Sequence, residues 1–298
     1  MQVHAQAPQP ARALARTWPR LGAATTQGRL DTGSTIGDPD GALTRPARGP
    51  ATMSFSAIRR DLQSSDPERL AQGLRRLTKQ LAPDAISDQR PTDWQQRKAA
   101  LADMEPSLLK LAESEDEVVR ELATDALGAW HGDAAFLRVL ALTEDPIERV
   151  RASAIGALEG WPDSAQALEK VIDAVDAPQW TVRMRGARAL WPFAGADVDK
   201  TLFGALVDPD SYVRMNAADS LRKRNSPDIL AHLRSLHDYT APHMLDAALD
   251  LLGQIGTRED IVWLEKAGSW LNLSQPAFVR AWSRDAAKKI RKRLNKVP

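Results

Sequence analysis

A chain of 298 residues is long enough to bury a substantial core, and its 43% hydrophobic and 27% charged content is that of a folded protein. The absence of cysteine excludes disulfides, thiolate chemistry and Cys-ligated zinc, and a net charge of +1 gives no bulk attraction to polyanions. No apolar run approaches the roughly 20 residues that a membrane-spanning helix needs, and the amino end lacks the apolar core of a secretory signal, so a cytoplasmic protein is expected.

Residues 1–52 are rich in Pro, Gly, Ala, Thr and Arg, show no apolar periodicity and read as a disordered tail. Arg12, Arg16, Arg20, Arg29, Arg45 and Arg48 stand against Asp31, Asp38 and Asp40 alone, a composition that resembles an organelle transit peptide. The plainer alternative is a start at Met53, with the upstream residues untranslated. Residues 53–105 are expected to hold N-terminal helices or a degenerate capping repeat. Within them Asp66-Pro67 opens a helix over 66–80 with Leu70, Leu74, Leu77 and Leu81 on one face. A loop follows over 82–92, and Trp94, Ala99 and Leu101 fall in a short helix.

Residues 106–298 carry the strongest signal. The pairs Val119-Arg120, Val150-Arg151, Val182-Arg183 and Val213-Arg214 begin 31, 32 and 31 residues apart; Met244 lies 31 further on, and Val279-Arg280 closes the series after 35. Four residues on from the first five stand Ala123, Ala154, Gly186, Ala217 and Ala248. Seven on stand Ala126, Ala157, Ala189, Ser220 and Leu251, and eight on Leu127, Leu158, Leu190, Leu221 and Leu252. This rhythm is one stripe of a helix, with small residues that let neighbouring helices approach. Asp145-Pro146, Asp176-Ala177-Pro178 and Asp208-Pro209 precede three of these helices, where Asp can cap free amides and Pro suits the first turn. Shorter apolar helices alternate with them, marked by Phe136, Leu137 and Leu140; Leu168, Val171, Ile172 and Val175; Leu202, Phe203 and Leu206; Ile229, Leu230, Leu233 and Leu236; and Ile261, Val262 and Leu264. One hairpin cannot bury its own stripe, so the units must stack.

The pattern Asp-Pro-x-x-x-Val-Arg-x-x-Ala-x-x-Ala-Leu, plainest over 145–158 and 208–221, resembles the HEAT repeat family in its short bacterial form. The resemblance runs over about 106–294, with a degenerate unit near Asp66, and implies an all-α, right-handed α-solenoid of HEAT-like helical hairpins. Leu245 at the Arg position of the fifth unit and Ser283 at an Ala position depart from it and point to irregular stacking near the carboxyl end. The resemblance also implies a structural ladder in which Arg120, Arg151, Arg183 and Arg214 bond to turn aspartates of neighbouring repeats, here Asp116, Asp145, Asp176 and Asp208. The alternative for these arginines is contact with phosphates.

Trp130 and Trp161 each follow their Val by eleven residues, on the core stripe, and are expected between units. Trp191 follows Val182 by nine and should point away from the stripe. Together with Met184, Met215, Arg188 and Arg222 it makes a candidate partner-binding set on the inner surface, which HEAT arrays usually present to partners. Local packing of Trp191 against Pro192 and Phe193 is the alternative. Between Arg280 and Pro298 eight basic residues oppose Asp285 alone. Arg284, Lys288, Lys289, Arg291, Lys292 and Arg293 are therefore candidates for anion binding, or else the solvated face of a capping helix.

No Gly-rich phosphate loop, nucleophile elbow or His-Glu-x-x-His pair is present. His232, His237 and His243, near Asp238 and Asp246, are spaced by five and six, off any single helical face, so neither metal nor cofactor is expected. The leading functional expectation is a noncatalytic scaffold that binds a protein partner along its inner surface, the partner's identity and the oligomeric state being left open. One alternative is a nucleic-acid-binding or DNA-repair protein similar to the HEAT-like alkylpurine DNA glycosylases, whose lesion pocket has no residue-by-residue match here. Another is a chromophore attachment factor similar to the bilin lyases.

Overall fold

The computed structural model describes residues 55–81, 93–226, 228–236, 244–269, 272 and 274–296, all within a unit that runs Thr52–Pro298. The expected tail over 1–52, Met53, the loop over 82–92, His237, Asp238 and His243 lie outside the described residues. Every regular element among the described residues is helical. α1 (Phe55–Leu62) and α2 (Pro67–Leu81) form a first hairpin, followed by the short α3 (Trp94–Ala100). Six more hairpins follow: α4 (Glu105–Leu111) with α5 (Glu117–Trp130), α6 (Asp133–Leu142) with α7 (Glu148–Ala157), α8 (Ala165–Val175) with α9 (Trp180–Ala189), α10 (Ala196–Ala205) with α11 (Ser211–Arg224), α12 (Ile229–Ser235) with α13 (Asp246–Ile255), and α14 (Arg258–Gly268) with α15 (Ala277–Leu294). The second helices, α2, α5, α7, α9, α11, α13 and α15, form a row in which each touches the next. The architecture is an all-α solenoid of helical hairpins.

The apolar rhythm explains this stacking. Val119, Val150, Val182, Val213 and Val279 each occupy the third position of a second helix and are buried. Leu127, Leu158, Leu190 and Leu221 are fully buried at the junctions between hairpins, each worth about 1.5 to 3 kcal/mol relative to exposure. Close approach depends on missing side-chain atoms. A Cβ on Gly128 would lie 2.6 Å from that of Ala157, so α5 and α7 meet at a distance only glycine permits there.

Three expectations need correction. The fifth unit starts late: α13 begins at Asp246, two residues after Met244, whereas every Val sits two residues inside its helix. Leu137 and Val262, expected in the core, are 64% and 72% exposed. α6 buries Ala135, Val139 and Leu142, and α14 buries Asp260 and Leu264. Leu137 and Val262 stand two residues beyond the first buried position, about 200° round the helix and so on its outer side. The Asp-Pro turns, finally, lie one step ahead of the helix. Ile147 is the N-cap residue of α7, and Asp145 accepts from its N–H at 2.8 Å; Asp208 likewise accepts from Asp210 N–H at 2.7 Å, and Asp210 is the residue that caps α11.

Two of these turns supply buried, two-pronged ion pairs between units. Arg120 donates through two guanidinium nitrogens to Asp145 at 2.7 and 3.1 Å, and Arg183 to Asp208 at 2.8 and 3.1 Å. The other assignments differ. Arg214 pairs with Asp246 at 2.7 and 2.8 Å, because the fifth unit has no Asp-Pro turn and the carboxylate comes from the first residue of α13. Asp116 caps α5 through Val118 and Val119 N–H. Among the described residues Arg151 has no ion pair with Asp176; it donates to the carbonyls of Asp145 and Pro146 at 2.7 and 3.0 Å. The cause is one inserted residue. Asp145 and Asp208 are each held by the N–H two residues on, but in Asp176-Ala177-Pro178 that position is a proline, which has none.

Burial pushes the Asp145 carboxyl up, but hydrogen bonds from Arg120 and the Ile147 N–H outweigh it and hold the group below its ordinary value. Asp260 behaves alike, burial being outweighed by Arg234 and Thr257. A carboxylate with a depressed folded pKa contributes stability that is complete above the unfolded value of about 3.9 and is lost as pH falls through the folded one. The melting temperature is therefore expected to decline on acidification below about pH 4. Asp260→Asn should flatten part of that decline, and an unchanged acid limb in this variant would contradict the assignment.

Candidate functional site

The exposed face of the second-helix row is where unpaired chemistry collects. On α9 the residues Trp180, Met184 and Arg188 recur every four positions and share one face, and Trp191 follows in the turn two residues past the helix end; Tyr212, Met215, Asp219 and Arg222 share one face of α11. Trp180 and Tyr212 are 43% and 45% exposed and stack on each other with ring centroids 5.6 Å apart and planes at 27°. Met215 is 58% exposed beside them. Sequence reasoning missed both aromatics, although they stand four and three residues ahead of Met184 and Met215. The repeat series starts at the Val that follows each of them, so they fell outside it.

The members of the expected partner-binding set separate. Met215 and Arg188 are exposed, Met184 is half-buried against the core, and Trp191 is half-buried with Lys223 Nζ 5.2 Å from its ring centre. Arg222 is engaged by Asp219 at 2.6 Å. The end of α9 is tied down by Arg224, which binds Asp199 at 2.5 Å and donates to the carbonyls of Trp191 and Phe193. Trp130 is 1% exposed, and Trp161 stacks on His131 at 5.0 Å and packs on Phe136 at 5.4 Å.

An open cleft of about 590 Å³ crosses α5, α7 and α9, with Asp125, Ser153, Gly156, Arg185, Arg188 and Trp191 in its walls. The Ser153 hydroxyl donates to the Asp125 carboxylate. Burial pushes the Asp125 carboxyl up, opposed by that hydrogen bond and by the charges of Arg185 and Arg188. The cleft thus offers cationic forks and an aromatic wall, which suits holding a ligand group.

The basic carboxyl helix is largely committed to its own docking. Arg284 donates to the Gly268 carbonyl at 2.6 Å, Arg293 to the carbonyls of Gly253 and Gly256, Lys289 pairs with Asp285 at 2.7 Å and with Asp250, and Arg291 pairs with Glu265. Of the six expected anion ligands, Lys288 and Lys292 alone have exposed side chains with no such bond among the described residues. His232 lies face to face on Phe203 at 4.1 Å, and burial holds its pKa down. Among the described residues no group of three His, Asp or Glu is placed to hold a metal ion, and no helix is long and apolar enough to cross a membrane.

The family model described as HEAT repeats matches residues 105–191, 168–239 and 198–288. Among solved structures, a designed armadillo repeat protein in complex with the peptide (KR)4 is 16% identical, with a TM-score of 0.42 over 67% of this chain and 98% of that one. The complex of CpcE and CpcF of phycocyanin lyase from Nostoc sp. PCC7120 is 17% identical, with a TM-score of 0.38 over 84% of this chain and 100% of that one. An engineered protein is 19% identical, with a TM-score of 0.40 over 79% and 95%. A search of curated proteins finds no match.

Proposed function

Since the chain belongs to the HEAT repeat family, we propose that it is a noncatalytic scaffold that docks a protein partner on the exposed face of its second-helix row, centred on α9 and α11. The observation that carries this reading is the stacked, solvent-exposed Trp180–Tyr212 pair with Met215 beside it. Large apolar side chains held in water by a rigid helical backbone are the residue types and the setting of binding hot spots. Stability alone would favour burying them. The carboxyl helix supports a nucleic-acid reading less, because four of its six candidate cations already serve packing or ion pairs.

The test is selection of binders from a displayed random peptide library, followed by Trp180→Ala, Tyr212→Ala and Met215→Ala. Each truncation is expected to weaken selected binders by about tenfold or more, as for hot-spot residues. Surface positions of this kind should shift stability by no more than about 0.5 kcal/mol. Binders indifferent to all three changes would move the docking face elsewhere, and a large loss of melting temperature would make these residues structural.

A further inference from the structure

The α9 row differs from its neighbours in one respect beyond its aromatic end. Among the described residues, the Arg185 and Arg188 guanidiniums have neither a hydrogen bond nor an ion pair. Elsewhere on this face several charged groups already have polar partners. Arg149 is taken by Glu117 at 2.5 Å and Glu121 at 3.3 Å, Glu148 accepts from Thr181, and Asp219 is held by Arg222 and Lys223. Within the cleft Asp125 accepts from Ser153, and Glu159 has a partner of its own. Asp125 and Glu121 feel the charge of these arginines without bonding to them, and α9 itself carries no acid, so α9 forms the basic strip of this face. Gly156 shapes it: a Cβ there would come within 3.3 Å of Arg185 Cδ, so its absence lets the arginine stem lie across α7.

We infer that Arg185 and Arg188 grip a carboxylate side chain of the docked segment, so that the partner of this face is an acidic peptide segment with an apolar anchor. This rests on the proposed docking face. Two adjacent planar forks match carboxylate geometry, and the Trp180–Tyr212 pair supplies the apolar seat. The separation of the two subsites sets a spacing. Trp180 and Arg188 are eight residues apart on one helix, about 12 Å at 1.5 Å per residue, which an extended segment covers in about three or four residues. The apolar and acidic residues of the ligand should therefore be separated by that number of positions.

The same peptide selection decides the matter, with the full chain as bait. Binders that depend on Trp180 and Tyr212 are expected to be enriched in Asp and Glu at that spacing from an apolar residue. Replacing their acids by amides should weaken them about tenfold or more, and added salt should weaken them further. Arg185→Gln with Arg188→Gln should cause the same loss, and Arg185→Glu with Arg188→Glu should redirect selection toward Lys and Arg. Asp125→Asn, which removes a carboxylate whose charge acts on both arginines and keeps the acceptor for Ser153, should tighten binding. Binders that need Trp180 and Tyr212 yet are neutral or basic would overturn the inference and leave the docking face standing. Binders indifferent to Trp180 and Tyr212, or a library that yields none, would overturn both.

Discussion

Leu158→Ala should lower the free energy of unfolding by about 2 to 5 kcal/mol, the range for deep leucine truncation in a rigid core. Leu158 is fully buried just beyond the end of α7, and the three-residue turn it opens touches α5, α7 and α8. The surrounding hairpins can collapse only partly into the space, because their spacing is fixed by small residues such as Gly128 and Ala157 in direct apposition. The loss should also be local before it is global, since each hairpin leans mainly on its neighbours. Hydrogen exchange is expected to accelerate first in α5 to α9 and last in α14 and α15. Uniform acceleration along the chain would show that the array unfolds as one block.

Asp145→Ala should cost about 3 kcal/mol. Its side chain is 5% exposed and that of Arg120 is 13% exposed, so truncation leaves a shielded guanidinium with only the Ser114 and Glu115 carbonyls as acceptors. The Ile147 N–H loses its acceptor as well. Asp176→Ala is the internal control: it stands 25 residues after an arginine, as Asp145 does, but is exposed and makes no ion pair among the described residues. Its removal should shift stability by no more than about 0.5 kcal/mol. Chemical denaturation of the two variants side by side measures the contrast, and equal losses would refute the account of the inserted residue.

The second-helix row was legible because its buried positions repeat at a helical spacing and the repeat itself recurs. The first helices were harder. They are short, and in α6 and α14 several neighbouring apolar residues compete for one buried stripe, so Leu137 and Val262 were assigned to the wrong side. The ladder was legible in residue type, but in partner only for Arg120 and Arg183. An acid 25 residues after its arginine looks the same in sequence whether or not the following N–H exists to hold it, and the Arg214 partner is 32 residues away. Of the candidate site, Arg188 and Met215 were already in the set expected on the inner surface of the second helices. Trp180 and Tyr212 were missed because they sit where helix and turn meet, and Arg185 because an unpaired guanidinium is a property of what surrounds it.

The absent rung between Arg151 and Asp176 leaves the boundary between the α6–α7 and α8–α9 hairpins joined across its polar side by contacts nearer to water, Lys170 with Glu144 at 2.6 Å and Thr181 with Glu148. That seam is also the one the Arg185 cleft straddles. A ligand lodged there would work as a splint, stiffening the stack at a joint that lacks this rung, so that occupancy and rigidity would rise together.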